Sequence, residues 1–159
     1  MNSFTQPLAD YKELLRFWES IDKNKLPIRV TGCTDSQKAH LIAAASERRT
    51  KRLVITDNEI KARELAADLQ MYDKNVLFYP SKDIIFYSAD VHGDAIVRER
   101  MKCLKRLTSG EPVTVVAGFQ AGMDKIMPPE ALLKDVIHID PDDTLDPEEL
   151  AKKLVRIGY

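Results

Sequence analysis

The sequence is poor in the residues that staple small folds together. It holds two cysteines, Cys33 and Cys103, which stand 70 positions apart and form no CxxC pair. That spacing excludes a disulfide framework and a structural zinc and fits a reducing compartment. The histidines, His40, His92 and His138, are scattered without a short ligand spacing, so no metal site is expected. Charge of one sign is missing too: 24 Lys and Arg face 25 Asp and Glu, a formal −1, which gives no bulk attraction to nucleic acid or an anionic membrane. No apolar run approaches the roughly 20 residues of a membrane helix. The opening MNSFTQPLADYKELL has neither the basic stretch nor the apolar run of a signal peptide, so a cytoplasmic location and no membrane partner are expected. No internal repeat and no low-complexity segment is visible.

What is present is the profile of a globular chain, 44% hydrophobic and 31% charged over 159 residues. That length can bury a core without staples and makes one domain, or one domain and the start of another. Asp10 and Glu13 have the spacing of a capping box, followed by an apolar helical face of Tyr11, Leu14, Leu15, Trp18 and Ile21. Further helices are predicted from Ser36 to about Arg49, from about Asn58 to Gln70, from Asp94 to Leu107 and from about Phe119 to Lys125. The helix over 94–107 carries Val97, Met101, Leu104 and Leu107 in its stripe. Strands are predicted at 28–30, 53–55, 76–79, 113–117 and 136–139, with a loop over 81–93. Strands alternating with helices imply right-handed βαβ units and an α/β fold with a mostly parallel sheet flanked by helices.

Near the end the composition shifts. Between Asp140 and Glu149 there are six acids and no base, and Asp146-Pro147-Glu148-Glu149 reads as a cap, a proline at the first helical position and first-turn acids. The expectation is a first domain over 1–139, with an acidic linker and the first helix of a second, truncated domain over 140–159. A terminal helix docking back on the sheet is the other reading.

The stretch Gly32-Cys33-Thr34-Asp35-Ser36-Gln37-Lys38-Ala39 follows a predicted strand and opens a predicted helix, the setting of a phosphate-binding P-loop. Gly32 and Lys38 keep the G-x-x-x-x-G-K-[ST] pattern; the other positions break it. Gln37 replaces the glycine that lets backbone N–H groups approach a phosphate. Ala39 replaces the hydroxyl that ligates Mg²⁺. Asp35 adds a negative charge to an anion cradle, opposing Lys38 and the helix dipole. No acid stands out as a metal partner, since the strand at 113–117 runs into Gly118, while Asp57 and Glu59 read as a helix start. The expectation is a degenerate nucleotide site, inactive and without a cofactor.

The segment Phe78-Tyr79-Pro80-Ser81-Lys82-Asp83-Ile84-Ile85-Phe86-Tyr87 and the helix D-A-I-V-R-E-R from Asp94 to Arg100 resemble the N-terminal module of the bacterial transcription-repair coupling factor family (Mfd). So do Leu104-Lys105-Arg106-Leu107 and the run from Val115-Val116-Ala117 to Met127-Pro128-Pro129, while the terminal L-D-P-E-E-L-A-K-K-L-V-R-I-G-Y is similar to the opening of that family's next domain. The resemblance covers nearly the whole chain in the right order. It implies a degenerate P-loop NTPase fold, RecA-like and akin to domain 1a of the excision-repair subunit UvrB, that has given up its ATPase. Too few residues separate Tyr87 from the next helix for the long damage-probing hairpin of UvrB. The parent implied is a large ATP-dependent DNA translocase that displaces stalled RNA polymerase and recruits UvrA. UvrA would dock mainly on the next domain, and RNA polymerase and DNA would be engaged by the rest of the parent. This chain would be a non-catalytic scaffold.

Basic side chains cluster at Arg48, Arg49, Lys51 and Arg52 and again at Arg98, Arg100, Lys102, Lys105 and Arg106. They lack the aromatic interleaving of a single-strand platform. The family resemblance makes Arg98, Arg100 and Lys102 candidate contacts to DNA or to another domain. Cys33 lies where a helix N-terminus and Lys38 can lower a thiol pKa, but no His or acid is placed by sequence to make it a nucleophile. Two other classes stay open: a small P-loop nucleotide-binding protein or weak NTPase, and a freestanding nucleic-acid-binding domain.

Overall fold

The computed structural model describes residues 5–8, 11–45, 48–82 and 91–157. Asp10, the aromatic pair Phe86 and Tyr87, and the rest of 83–90 lie outside the described residues. The chain divides into two compact units, Met1–Asp124 and Lys125–Tyr159.

The first unit is built on a three-stranded parallel sheet, β1 (Lys51–Thr56), β2 (Val76–Tyr79) and β3 (Val113–Gly118), in the order β1-β3-β2. Leu53 pairs with Val115 and Ile55 with Ala117 on one side of β3, and Phe78 pairs with Val116 on the other. β3 is central and every residue of it is buried, as its run V-T-V-V-A, apolar at every position but Thr114, predicts. Its side chains alternate between two cores. Val116 joins Ala39 and Ala43 of α2 (Asp35–Ala45), Ala62, Ala66 and Leu69 of α3 (Glu59–Gln70), and Val76. Val113, Val115 and Ala117 face the other way, onto Tyr79 and Cys103 of α4 (Val91–Thr108). Alanines on α2 and α3 let the helices approach closely, which small side chains permit at low entropic cost. Leu14 and Trp18 of α1 (Lys12–Asp22) pack on Ala44 in a satellite cluster.

Gly118 marks a close approach. A Cβ there would stand 3.0 Å from the backbone nitrogen of Glu59, so the end of β3 and the start of α3 meet only because the side chain is a hydrogen.

The α/β class and the parallel, helix-flanked sheet are as read from sequence, and several details differ. Residues 28–30 form no strand; they are too few to hold a place alone, follow Pro27, which has no N–H for a ladder, and find no neighbour. Residues 136–139 form none either, and Val136 and Ile139 are exposed. The prolines at 128 and 129 start a helix instead of only ending one: α6 (Pro129–Lys134) has Pro128 at its cap and proline at its first position. The helix α5 (Phe119–Gly122) is a single turn. At α1 the cap position is Tyr11, with no side-chain cap bond, and Tyr11 and Leu15 of the expected stripe are exposed.

The largest revision concerns α4. Val97 and Met101 are exposed, while Arg100 and Cys103 are buried beside Leu104 and Leu107. The helix is turned about its axis so that an arginine occupies an inward position.

In the second unit, α7 (Pro147–Ile157) starts as its sequence requires: the Glu148 N–H donates to Asp146 Oδ1 at 2.8 Å and the Leu150 N–H to the Asp146 carbonyl at 3.0 Å. None of its residues is buried. Arg156 lies 3.9 Å from Asp135, at the end of α6.

Candidate functional site

The turn at 31–34 and the first residues of α2 carry the P-loop-like pattern. Gly32 adopts φ +82, a left-handed conformation that favours glycine, and brings Thr34 to the cap of α2, where its carbonyl accepts from the Lys38 N–H at 2.9 Å. The Thr34 N–H donates to Gln37 Oε1 at 2.9 Å, and the Gln37 N–H reaches Thr34 Oγ1 at 3.4 Å. That reciprocal pair is a capping box. A P-loop offers its free N–H groups to a phosphate; here Gln37, at the second-glycine position, takes one of them for itself. Thr34-Asp35-Ser36-Gln37 carries the T-x-x-Q signature of that box in the sequence, overlapping the P-loop-like pattern.

Lys38 is equally committed. Its Nζ donates to Asp35 Oδ1 at 2.8 Å, and this bond, followed by the charge of Lys38, holds the Asp35 carboxyl below its usual value of 3.8. Both side chains are exposed. Ala39 is 2% exposed and packs in the core formed with α3, so the position of the Mg²⁺-ligating hydroxyl is a helix-packing contact here. Gly32, Asp35, Gln37, Lys38 and Ala39 are therefore brought together as one helix start.

The start of α3 repeats the design. Asn58 Oδ1 accepts from the Lys61 N–H at 2.9 Å, and Lys61 Nζ donates to Asp57 at 2.6 Å, which lowers the Asp57 pKa and raises that of Lys61. Each of these helices thus has a polar cap and an Asp–Lys pair astride its first turn. At α3 nothing suggests a phosphate, and the likeness favours an ordinary cap at α2.

A groove of about 750 Å³ opens beside the 31–33 turn, lined among others by Tyr11, Phe17, Val30, Gly32, Gln37 and His40. Its volume lies in the range of ligand pockets. The ring of His40 stacks on Tyr72 at 5.5 Å. Among the described residues no cluster of His, Cys, Asp and Glu could hold a metal ion.

The candidate basic contacts separate. Arg98 and Lys102 are both exposed and, four residues apart, share a side of α4. Arg100 is 6% exposed and reaches the Pro80 carbonyl at 2.7 Å and the Asp124 carboxylate at 2.9 Å, over the ring of Tyr79 at 4.2 Å. Arg106 is bonded to Glu111 and, at 2.8 Å, to Asn75 Oδ1. In the other cluster Arg52 pairs with Asp73 at 3.0 Å and Arg48 with Asp22 at 3.2 Å. In each run, then, some bases are already paired with acids of this chain.

Sequence reasoning missed a polar network at the carboxyl edge of the sheet. Glu59 Oε2 accepts from the Ser81 N–H at 3.2 Å and from Ser81 Oγ at 2.5 Å, next to the Pro80 carbonyl held by Arg100. Burial raises the Tyr79 pKa although the Arg100 charge opposes it. Burial also pushes the Cys103 thiol up to about 12, and its Sγ donates to the Phe78 carbonyl at 3.3 Å. Cys103 is a core residue, not a nucleophile.

These features define a parallel α/β domain in which the Thr34 N–H and the Lys38 ammonium are bonded to side chains of the same helix start. No protein-family model matches the chain. It is 27% identical over 164 aligned positions, all of its length, to the transcription-repair-coupling factor of Bacillus subtilis, and 30% identical over 138 positions, 83% of its length, to those of two strains of Staphylococcus epidermidis. The chain is related to the N-terminal module of the bacterial transcription-repair coupling factors. It spans 12–14% of the length of these relatives. No helix among the described residues is long and apolar enough to cross a membrane.

Proposed function

We propose that this chain is a non-catalytic scaffold of the repair-recruitment module in transcription-coupled nucleotide excision repair, on a P-loop NTPase fold that has lost its phosphate chemistry. The observation that carries the reading is the helix start at 34–39. Gln37 and Asp35 stand where a phosphate would, and Ala39 is sealed in the core. The alignment with coupling factors along the whole chain supports the role. On this reading α7 opens the next domain, UvrA docks there, and RNA polymerase, DNA and ATP hydrolysis belong to other parts of a longer cytoplasmic translocase. Arg98 and Lys102 are the bases placed to meet DNA or a neighbouring domain, and Arg100 acts from within.

Titration with fluorescent ATP and Mg²⁺ tests it. The expected result is no binding by the wild type up to about 1 mM, an affinity of about 4 kcal/mol. The double variant Asp35→Gly, Gln37→Gly, run beside it, shows whether freeing Lys38 and the capped N–H restores a site. Ala39 is left in place, since a larger side chain there would disturb the core. Micromolar binding by the wild type would put the alternative, a small nucleotide-binding protein or weak NTPase, in first place.

A further inference from the structure

We propose that Arg100 is a latch that fixes two chain exits at once: the end of β2 and the end of the first compact unit. The guanidinium lies in the core, with its side chain 7% exposed. Its Nη1 donates to the carbonyl of Pro80, the residue after β2, and lies 2.9 Å from the carboxylate of Asp124, the last residue of the first unit. Tyr79 supports the group from below as a cation–π partner. Asp124 is the counter-charge that the structure gives to this buried cation. The neighbouring Ser81 is tied through Glu59 to the first turn of α3. One side chain thus joins the end of β2 to the chain beyond α5, beside the Ser81–Glu59 tie to α3.

The two exits are sequence-distant, 80 and 124, and the hydrogen bond to one and the ion pair to the other use the same nitrogen. Removing the counter-charge leaves an unpaired cation in a dry site, which must move toward water to be solvated. When it moves, the Pro80 carbonyl loses its donor as well. The exits should therefore loosen together.

Trypsin reads this directly, because an exposed lysine follows each exit: Lys82 after Ser81, and Lys125 after Asp124. In Asp124→Asn, which keeps the shape of the side chain, nicking at both lysines should rise by roughly tenfold or more, while nicking at exposed Lys23 and Lys74 stays as in the wild type. Arg100→Lys, which keeps the charge and loses the fork, should do the same. Hydrogen exchange of the backbone amides of Tyr79, Ser81, Asp124 and Lys125 gives a second measurement that needs no cleavage. A rise at Lys125 alone would mean that Asp124 acts only locally. Unchanged rates at both sites would remove the latch. A rise at all four lysines would mean general unfolding, and would equally reject it.

Discussion

The start of α2 and the carboxyl edge of the sheet both gather charged side chains, and the solvent treats them in opposite ways. At α2 the Asp35–Lys38 pair is wet. At the sheet edge Arg100 and Asp124 meet where one side chain is 7% and the other 25% exposed. In water a pair of charges is worth little, since the Coulomb gain is screened and long side chains lose rotamer freedom. In a dry site the pair is costly to assemble and far costlier to break. Sequence pattern points to α2 as the place of chemistry, yet the buried pair of charges lies between α4 and the chain that follows α5.

The contrast predicts unequal responses to neutral substitutions of similar length. Arg100→Met should destabilise the first unit by about 3 kcal/mol, the low end of the range for breaking a buried pair, because Asp124 keeps some access to water. Lys38→Met should leave the midpoint unmoved. Urea unfolding followed by the fluorescence of Trp18, the one tryptophan, measures both. Equal midpoints would erase the distinction between the regions.

Gly118→Ala addresses the same dry edge through packing. The added Cβ would meet the backbone of Asn58 and Glu59, which cannot swing aside as a side chain would. A loss of about 2 kcal/mol is expected, with the α3 amides exchanging faster. Thr34→Ala tests the wet region through its cap and should cost about 1 kcal/mol. Asn58→Ala, at the matching position of α3, should cost about the same. If Thr34→Ala were much the milder, the capping-box account of the P-loop-like turn would fail.

The sheet was legible because its signals were redundant. Val113 to Ala117 is apolar at every position but one, and only a strand covered on both faces uses such a run. The helices over 35–45, 59–70 and 147–157 carry caps or first-turn acids that pin their starts. What failed was any judgement that depends on a neighbour. Ile28-Arg29-Val30 has strand residues but nothing to pair with. On α4 the eye takes Val97 and Met101 as core and Arg100 as surface, because no rule of periodicity says that Asp124 and the Pro80 carbonyl wait inside. Of the candidate residues, Gly32 to Ala39 form one helix start and Arg98 and Lys102 share an exposed side of α4, while Arg100 turns into the core.

The smallest expected effect bears most directly on function. Asp35 titrates below its usual value in the folded chain, chiefly through the bond from Lys38. A carboxyl whose pKa is lowered by folding contributes stability above its unfolded value and loses it as pH falls through the folded one, so the contribution of this pair is present above about pH 4 and fades as pH falls below it. Both groups are exposed, and the effect belongs to NMR titration of the carboxyl rather than to a melting curve. In Lys38→Ala the Asp35 pKa should return toward 3.8. If it stays low, the charge is held instead by the helix dipole and the amides of the first turn. Those are the groups that would cradle a phosphate, and a corner that still attracts an anion once Lys38 is gone would not be closed to nucleotides.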